Sequence, residues 1–225
     1  MTTRMTTTHL DLGCGTVPRN PYSHDEVHAV DIYMPPGVSP ERFRTANLSL
    51  QPIPHASSSF DSVSAFDFLE HVPRVLGSIS NSDRGPSTDT TTDSSANTRL
   101  PFVELMNEVH RVLKPGGKFY ALTPAYPNAS VFTDPTHVNF ITLGTWRYFC
   151  SDDAAAATPP MARMYGFTGN FKMLRNEWGM TPEVFNAAST LNWKRQLRRW
   201  NLRRLGKLSH LLWEFECVKA RAETA

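Results

Sequence analysis

An α/β fold built on a doubly wound sheet is what this sequence predicts, and three observations predict it. Short apolar runs alternate with a segment of helical period. A glycine-rich turn, Gly13-Cys14-Gly15, follows the first apolar run, and an acidic residue, Asp31, stands near the end of the second. In such sheets ligands sit at the carboxyl ends of the strands, which is where the turn and the acid fall.

Taken in order, residues 9–12 form a short apolar entry into the glycine turn. Residues 27–32 read as a second strand and residues 62–68 as a third, central one. From Pro101 to Leu113, the apolar residues Phe102, Leu105, Met106, Val109, Val112 and Leu113 follow helical spacing, and Lys114-Pro115-Gly116-Gly117 stops the helix. Residues 119–123 read as the next strand, and 171–175 and 212–218 as two more, the last one closing the chain.

The 225 residues suit a single domain spanning 1–225 with a core of its own. Two excursions interrupt it. Eleven of the 23 residues at 77–99 are Ser or Thr and almost none is apolar, so the segment reads as a long flexible surface loop. The stretch 150–162 is a shorter one. Three cysteines, Cys14, Cys150 and Cys217, with no CxxC spacing, argue against a disulfide framework or a zinc site and for a reducing, cytoplasmic setting. The N-terminus lacks the apolar run of a signal peptide, and no stretch approaches the roughly 20 apolar residues of a membrane span.

Charge is unevenly distributed. A basic helix expected at about 192–208 holds seven Lys or Arg and no acid, and leaving it out turns the net charge of +2 into −5. Trp193, Leu197 and Trp200 share one stripe of that helix. The segment either packs its apolar side on the sheet with solvated charges outward, or meets an anionic membrane surface or nucleic acid.

Gly13 and Gly15 let the backbone approach a ligand closely, and Asp31 is placed to accept hydrogen bonds from ribose hydroxyls. Alone, this pattern equally describes a glycine turn beside a capping acid. Three further segments narrow it: AVDIY, FDSVSAFDFLEHV and NEVHRVLKPGGKFYALTP follow LDLGCG in order. Over about residues 9–124 the sequence thereby resembles the class I S-adenosylmethionine (SAM)-dependent methyltransferases, particularly the broad group called methyltransferase type 11.

That resemblance implies a Rossmann-like, mostly parallel sheet with an antiparallel final strand. It implies SAM as cofactor, held by the loop that contains Asp11, Gly13, Cys14 and Gly15, by Asp31 with its neighbour Ile32 at the ribose, by Asn47 and Leu48 at the adenine, and by the backbone of Ala65 and Phe66 at the amino group. Two departures stand out. Pro18 and Pro21 make a regular helix after the glycine turn doubtful. The chain also starts at the first strand, without the helices that often cover the cofactor, so either the pocket is open or the Ser/Thr-rich loop or a second subunit in a homodimer covers it.

Methyl transfer is an in-line displacement that needs alignment, exclusion of water and, for a hydroxyl acceptor, removal of a proton. The candidates are Asp67, Glu70 and His71, with Asp134 and His137 further on. Asp67-x-x-Glu70-His71 is similar to the acid-x-x-Glu-His pattern of ubiquinone-pathway O-methyltransferases and of the enzymes that 2′-O-methylate small-RNA 3′ ends. By that resemblance Asp67, Glu70, His71 and His137 hold a divalent ion, magnesium, manganese or zinc. The competing reading is that Glu70 and His71 cap and orient the helix after the strand. His137 is either a general base or a loop residue that fixes the Asp134-Pro135 turn. Tyr126, Phe132, Phe140 and Trp146 are either a substrate wall or ordinary core.

The expectation is therefore a methyltransferase acting on a small molecule or saccharide, with oxygen as the favoured acceptor. Two alternatives stay open: methylation of RNA or protein reached through the basic helix, and a catalytically inactive SAM-binding partner protein.

Overall fold

Prolines decide the connections of this sheet. The structure, a computed structural model, describes residues 6–77, 98–151, 159–179, 197, 200–201 and 208–219. Its elements are β1 (Thr8–Leu12), β2 (Glu26–Asp31), β3 (Phe43–Thr45), β4 (Phe60–Phe66), the short pair β5 (Leu76–Gly77) and β6 (Thr98–Arg99), α1 (Pro101–Val112), β7 (Leu113–Pro124), β8 (Cys150–Ser151), β9 (Phe171–Gly179) and β10 (His210–Cys217). Eight strands form one sheet in the order β3-β2-β1-β4-β7-β10-β9-β8. Strands β3, β2, β1, β4 and β7 run parallel, whereas β10 is antiparallel to both β7 and β9. The sheet is thus the expected mostly parallel one with an antiparallel last strand.

The three connections before β4 contain no helix. Each carries prolines: Pro18 and Pro21, then Pro35, Pro36 and Pro40, then Pro52 and Pro54. A proline inside a helix removes a hydrogen bond and clashes with the preceding turn, so these segments cross in turns instead. α1 is the longest helix among the described residues. Its Phe102, Leu105, Met106, Val109 and Val112 are buried at helical spacing against Leu10, Leu12, Val63, Phe119 and Trp213 of the sheet's first face. Burial of each such large side chain contributes about 1.5–3 kcal/mol.

Helix α1 passes straight into β7. The Lys114–Gly117 turn expected to separate them instead bulges out of the ladder, because the pairing with β4 jumps from Phe60↔Leu113 to Ser62↔Lys118. Gly117 is required there, since a Cβ would stand 2.9 Å from the Lys114 carbonyl oxygen.

The second face of the sheet is polar toward β1 and aromatic toward β7. Residues 13–25 cross it as a strap where a helix was doubtful. The Tyr22 hydroxyl donates to Glu214 Oε1 of β10 at 2.7 Å, and the Arg19 guanidinium lies 4.9 Å from the centre of the Phe66 ring. Beneath the strap, Ser62 and Ser64 Oγ lie 2.6 and 2.8 Å from His9 Nδ1 and Nε2, and Ser64 donates to Asp11 Oδ1 at 2.5 Å. Since the Ser64 proton goes to Asp11, its oxygen accepts from His9 Nε2–H, and His9 Nδ1 accepts from Ser62. Arg19 N–H completes the chain at Asp11 Oδ2, 2.8 Å away.

Of the segment at about 192–208, Leu197, Trp200, Asn201 and Leu208 are described; the first three are helical, Leu197 and Trp200 are half exposed, and Leu208 is buried. The other basic-helix residues and Trp193 lie outside the described residues, as does the Ser/Thr-rich excursion apart from its closed base at β5 and β6. No helix among the described residues is long and apolar enough to cross a membrane.

Candidate active site

Two cavities meet at the carboxyl ends of β1, β2 and β4. The first, 360 Å³, is lined by Gly13, Asp31, Ile32, Asn47 and Leu48, and beyond β4 by Asp67, Phe68 and His71. The second, 600 Å³, is lined by Asp67, Glu70, His71, Asp134, His137 and His210, with Pro124 at the end of β7. Asp67 and His71 belong to both.

Local conformation explains the first cavity. Gly13 has φ +60°, and a Cβ on it would come within 2.6 Å of Phe68 Cγ and 2.9 Å of Phe68 Cβ. Only glycine lets the Phe68 ring lie against the turn. Gly15 also has a positive φ, +58°, but faces open space. The Asp31 carboxylate accepts from Gly15 N–H at 2.8 Å and from Ile32 N–H at 2.6 Å, so it ties the glycine turn to the end of β2. Asn47 Oδ1 accepts from Ser49 N–H at 3.1 Å, which leaves its second lone pair and the amide NH₂ to offer a ligand.

The other residues expected around the cofactor do not line this cleft. Asp11 is fully buried under the strap, and burial pushes its carboxyl up to about 7 against the lowering effect of Ser64 and Arg19 N–H. Cys14 packs with Ala29 and Phe43, its thiol pushed up by burial to about 12. Ala65 is buried in the first-face core, and the Phe66 side chain packs on the second face with Tyr120, Leu122 and Leu212. After β4 it is the next two residues, Asp67 and Phe68, that reach the cleft. Asp67 adopts a left-handed conformation, φ +50°, held by its N–H donating to Leu122 O at 2.8 Å. Such a backbone costs of order 1 kcal/mol or more and turns the chain out of the sheet at the point where both cavities meet.

The second cavity holds a cluster of titratable groups. Glu70 follows β4 in a short 3-10 turn, Leu69–His71, rather than on a longer helix. Its Oε2 accepts from Thr123 Oγ1 at 2.8 Å, while its Oε1 is buried with no hydrogen-bond partner. Burial, with Asp67 nearby, pushes the Glu70 carboxyl up to about 7, although Thr123 and a backbone N–H favour its ionised form. His137 Nε2 lies 4.0 Å from that free oxygen. The loop carrying His137 is pinned there, because Val138 and Asn139 N–H both donate to Glu70 O, at 2.8 and 2.9 Å.

Both histidines are oriented by their Nδ1 atoms. His137 Nδ1–H donates to Val131 O at 2.9 Å. Thr136 gives its hydroxyl proton to Asp134 Oδ1, so its oxygen accepts from His71 Nδ1–H at 3.0 Å. In the neutral form of each ring the lone pair is therefore on Nε2, available as an acceptor or ligand. Glu70, His71 and His137 place one potential ligand atom each within 4.8 Å of one another. Asp67, the fourth residue expected in the metal set, is paired instead with His210 Nε2 at 3.0 Å. His210 escaped the sequence reading: it lies 143 positions from its partner, at the start of the last strand, and no motif surrounds it.

No protein-family model matches this sequence, and no curated protein matches it. Solved structures do. A Haloferax volcanii protein described as a methyltransferase, solved in complex with the methyltransferase activator Trm112, is similar over 97% of this chain and 86% of its own, with 14% identity and a TM-score of 0.53. A SAM-dependent methyltransferase from Mesorhizobium loti matches over 94% of this chain and 91% of its own, with 14% identity and a TM-score of 0.49. At such identity a likeness speaks for architecture alone, and with the strand order and the antiparallel last strand it shows that this chain has the class I methyltransferase fold.

Proposed function

We propose that the chain is a SAM-dependent methyltransferase that methylates a hydroxyl of a small molecule or saccharide. One observation carries the reading: the glycine-turn cleft and the histidine basin share Asp67 and His71, so a ligand in one abuts a ligand in the other. The first cleft fits the cofactor. Positive φ at Gly13 and Gly15 bares the backbone of the turn, Asp31 keeps lone pairs for ribose hydroxyls beyond the two N–H groups it accepts, and Asn47 with Leu48 stands at the adenine end. When bound, SAM supplies a methyl group on a sulfonium centre.

The chain's own residues align the acceptor and take its proton. His137 Nε2, which carries the lone pair of the neutral ring because Nδ1–H donates to Val131 O, receives the hydroxyl proton as the oxygen attacks, and the neighbouring Glu70 carboxylate stabilises the imidazolium that forms. Phe68 forms an apolar wall of the cleft beside Asp67 and His71. Glu70, His71 and His137 also fit a divalent ion: the buried, unpartnered Glu70 Oε1 and two Nε2 lone pairs make a mixed oxygen and nitrogen donor set suited to manganese or zinc. Bound there, such an ion would lower the pKa of a coordinated hydroxyl.

Calorimetric titration with SAM tests the central reading, and absence of binding at millimolar cofactor refutes it. For the metal, titration with manganese is expected to show a site that Glu70→Gln weakens by at least tenfold, the usual scale for loss of a ligand or its support. Full turnover in excess chelator would remove the ion from the proposal and leave His137 as the base. A second reading, an anionic partner at residues 192–208, is favoured by the half-exposed Leu197 and Trp200 within a run of seven cations. Retention on anionic vesicles or RNA that falls steeply with salt supports it, and no retention at low salt sinks it.

A further inference from the structure

A third concavity, 640 Å³, lies along α1 on the far side of the loop that carries His137. Its walls are apolar and aromatic: Val75, Phe102, Val103, Tyr148, Phe149 and Tyr165, with Phe140 at the near end. A volume of this size lined in this way suits one small molecule, since ligand sites run to about 300–1,000 Å³ and are mostly apolar with a few placed polar groups. The charged group here is Arg74, whose guanidinium is held by Asn139 Oδ1 at 2.7 Å and by Phe140 O, both neutral, and Thr142 and Thr145 add hydroxyls to the lining.

The groove and the histidine basin have a common wall. Val138 and Asn139 are pinned on Glu70 O, Asn139 Nδ2–H donates to Leu69 O at 3.0 Å, and Arg74 clamps the far side. His137 faces the basin and Phe140 the groove, and three residues of chain put their Cα atoms at most about 11 Å apart. Over this wall stand two exposed rings, Phe132 and Phe140, 5.1 Å apart. Phe132 lies in the chain between Ser130 and Thr133, which line the basin, and Phe140 lines the groove, so the ring pair joins the segments that border the two cavities.

We propose that this groove is the tail subsite of the methyl acceptor, which is an amphipathic small molecule: its hydroxyl lies in the His71 and His137 basin and its aliphatic or aromatic tail crosses Phe132 and Phe140 into the groove. The proposal rests on the methyltransferase reading and selects within it, because a saccharide would leave this apolar lining uncovered.

The test is the affinity of the full chain for straight-chain primary alcohols from butanol to decanol, measured by calorimetry without cofactor. Each methylene buried in the groove is expected to tighten binding roughly fourfold. Val103→Asp puts a charge into the groove from the solvent side of α1, and Tyr165→Ala removes a wall; both are expected to flatten the chain-length dependence and to leave SAM affinity and helical circular dichroism unchanged. Absence of a chain-length dependence overturns the proposal, as does one that survives in both folded variants. A dependence that the variants abolish, in a protein that fails to bind SAM, supports the groove as an apolar ligand site and overturns the methyltransferase reading instead.

Discussion

Substituting alanine at the two glycines of the turn after β1 separates two costs that usually arrive together. Gly13 and Gly15 have nearly equal φ, +60° and +58°, so alanine at either position pays the left-handed penalty, about 1–2 kcal/mol. Their surroundings differ. At Gly15 a Cβ meets nothing within 4 Å, whereas at Gly13 it meets Phe68 Cγ at 2.6 Å and Phe68 Cβ at 2.9 Å. Because Phe68 Cβ sits near the backbone, rotating the ring does not relieve the overlap, and overpacking of this kind adds about 1–3 kcal/mol. For a chain of this length, about 2–4 °C of Tm is lost per kcal/mol. Gly15→Ala is therefore expected to lower Tm by roughly 2–8 °C and Gly13→Ala by roughly 4–20 °C, followed by circular dichroism. In a Phe68→Gly background, which removes the Cβ together with the ring, the extra loss at Gly13 should vanish, since the cycle removes the contact and keeps the backbone strain. Equal losses in the two single variants, or an excess at Gly13 that persists without Phe68, would refute the reasoning.

The buried relay beneath the strap makes a pH prediction of opposite signs. Burial pulls His9 down to about 3, so its contribution to stability is present above the unfolded value of 6.5 and is lost as pH falls toward 3. Asp11 is pushed up to about 7, so its contribution is present below the unfolded value of 3.8 and is lost as pH rises through 7. Between roughly pH 4 and 6.5 the two slopes cancel. His9→Gln should thus leave a protein whose Tm falls as pH rises across that window, and Asp11→Asn one whose Tm rises; parallel profiles in the two variants would contradict the assignment. At the ribose end of the cleft, Asp31→Ala removes the acceptor of Gly15 and Ile32 N–H and frees the turn. Loss of such charge-assisted bonds costs about 1.5–3 kcal/mol, so SAM binding should weaken roughly 10- to 100-fold, and unchanged affinity in titration would take Asp31 out of the site.

How much of this was legible in the sequence depended on whether the signal was local. The glycine turn, Asp31 and α1 announced themselves because their meaning lies in adjacent residues: positive φ, strand end and 3.6-residue period. Pro18 and Pro21 warned correctly that no regular helix would follow the turn. The short edge strands β3 and β8 carry too few residues to show a period of two. The Lys114–Gly117 bulge was read as a separator because its residue types say turn, whereas its place inside a ladder is decided by pairing with β4. The second-face chain of Ser62, His9, Ser64 and Asp11 depends on the β1/β4 register, which no local pattern encodes. Pairing of Asp67 with His210 is likewise a product of topology, since β10 must lie beside β7 before the two side chains meet.

The strap has a consequence for the order in which the molecule is made. Tyr22, nine residues into the loop that follows Gly13, is tied to Glu214 in the final strand, across 192 positions of sequence. Contacts of such separation form late, because the entropy of bringing distant segments together is spent before any contact repays it. On the ribosome, the glycine turn emerges well before the strand that anchors its strap. Chains interrupted before β10 hold every residue of the glycine-turn cleft and yet lack Glu214, so the strap is fastened only once β10 is in place.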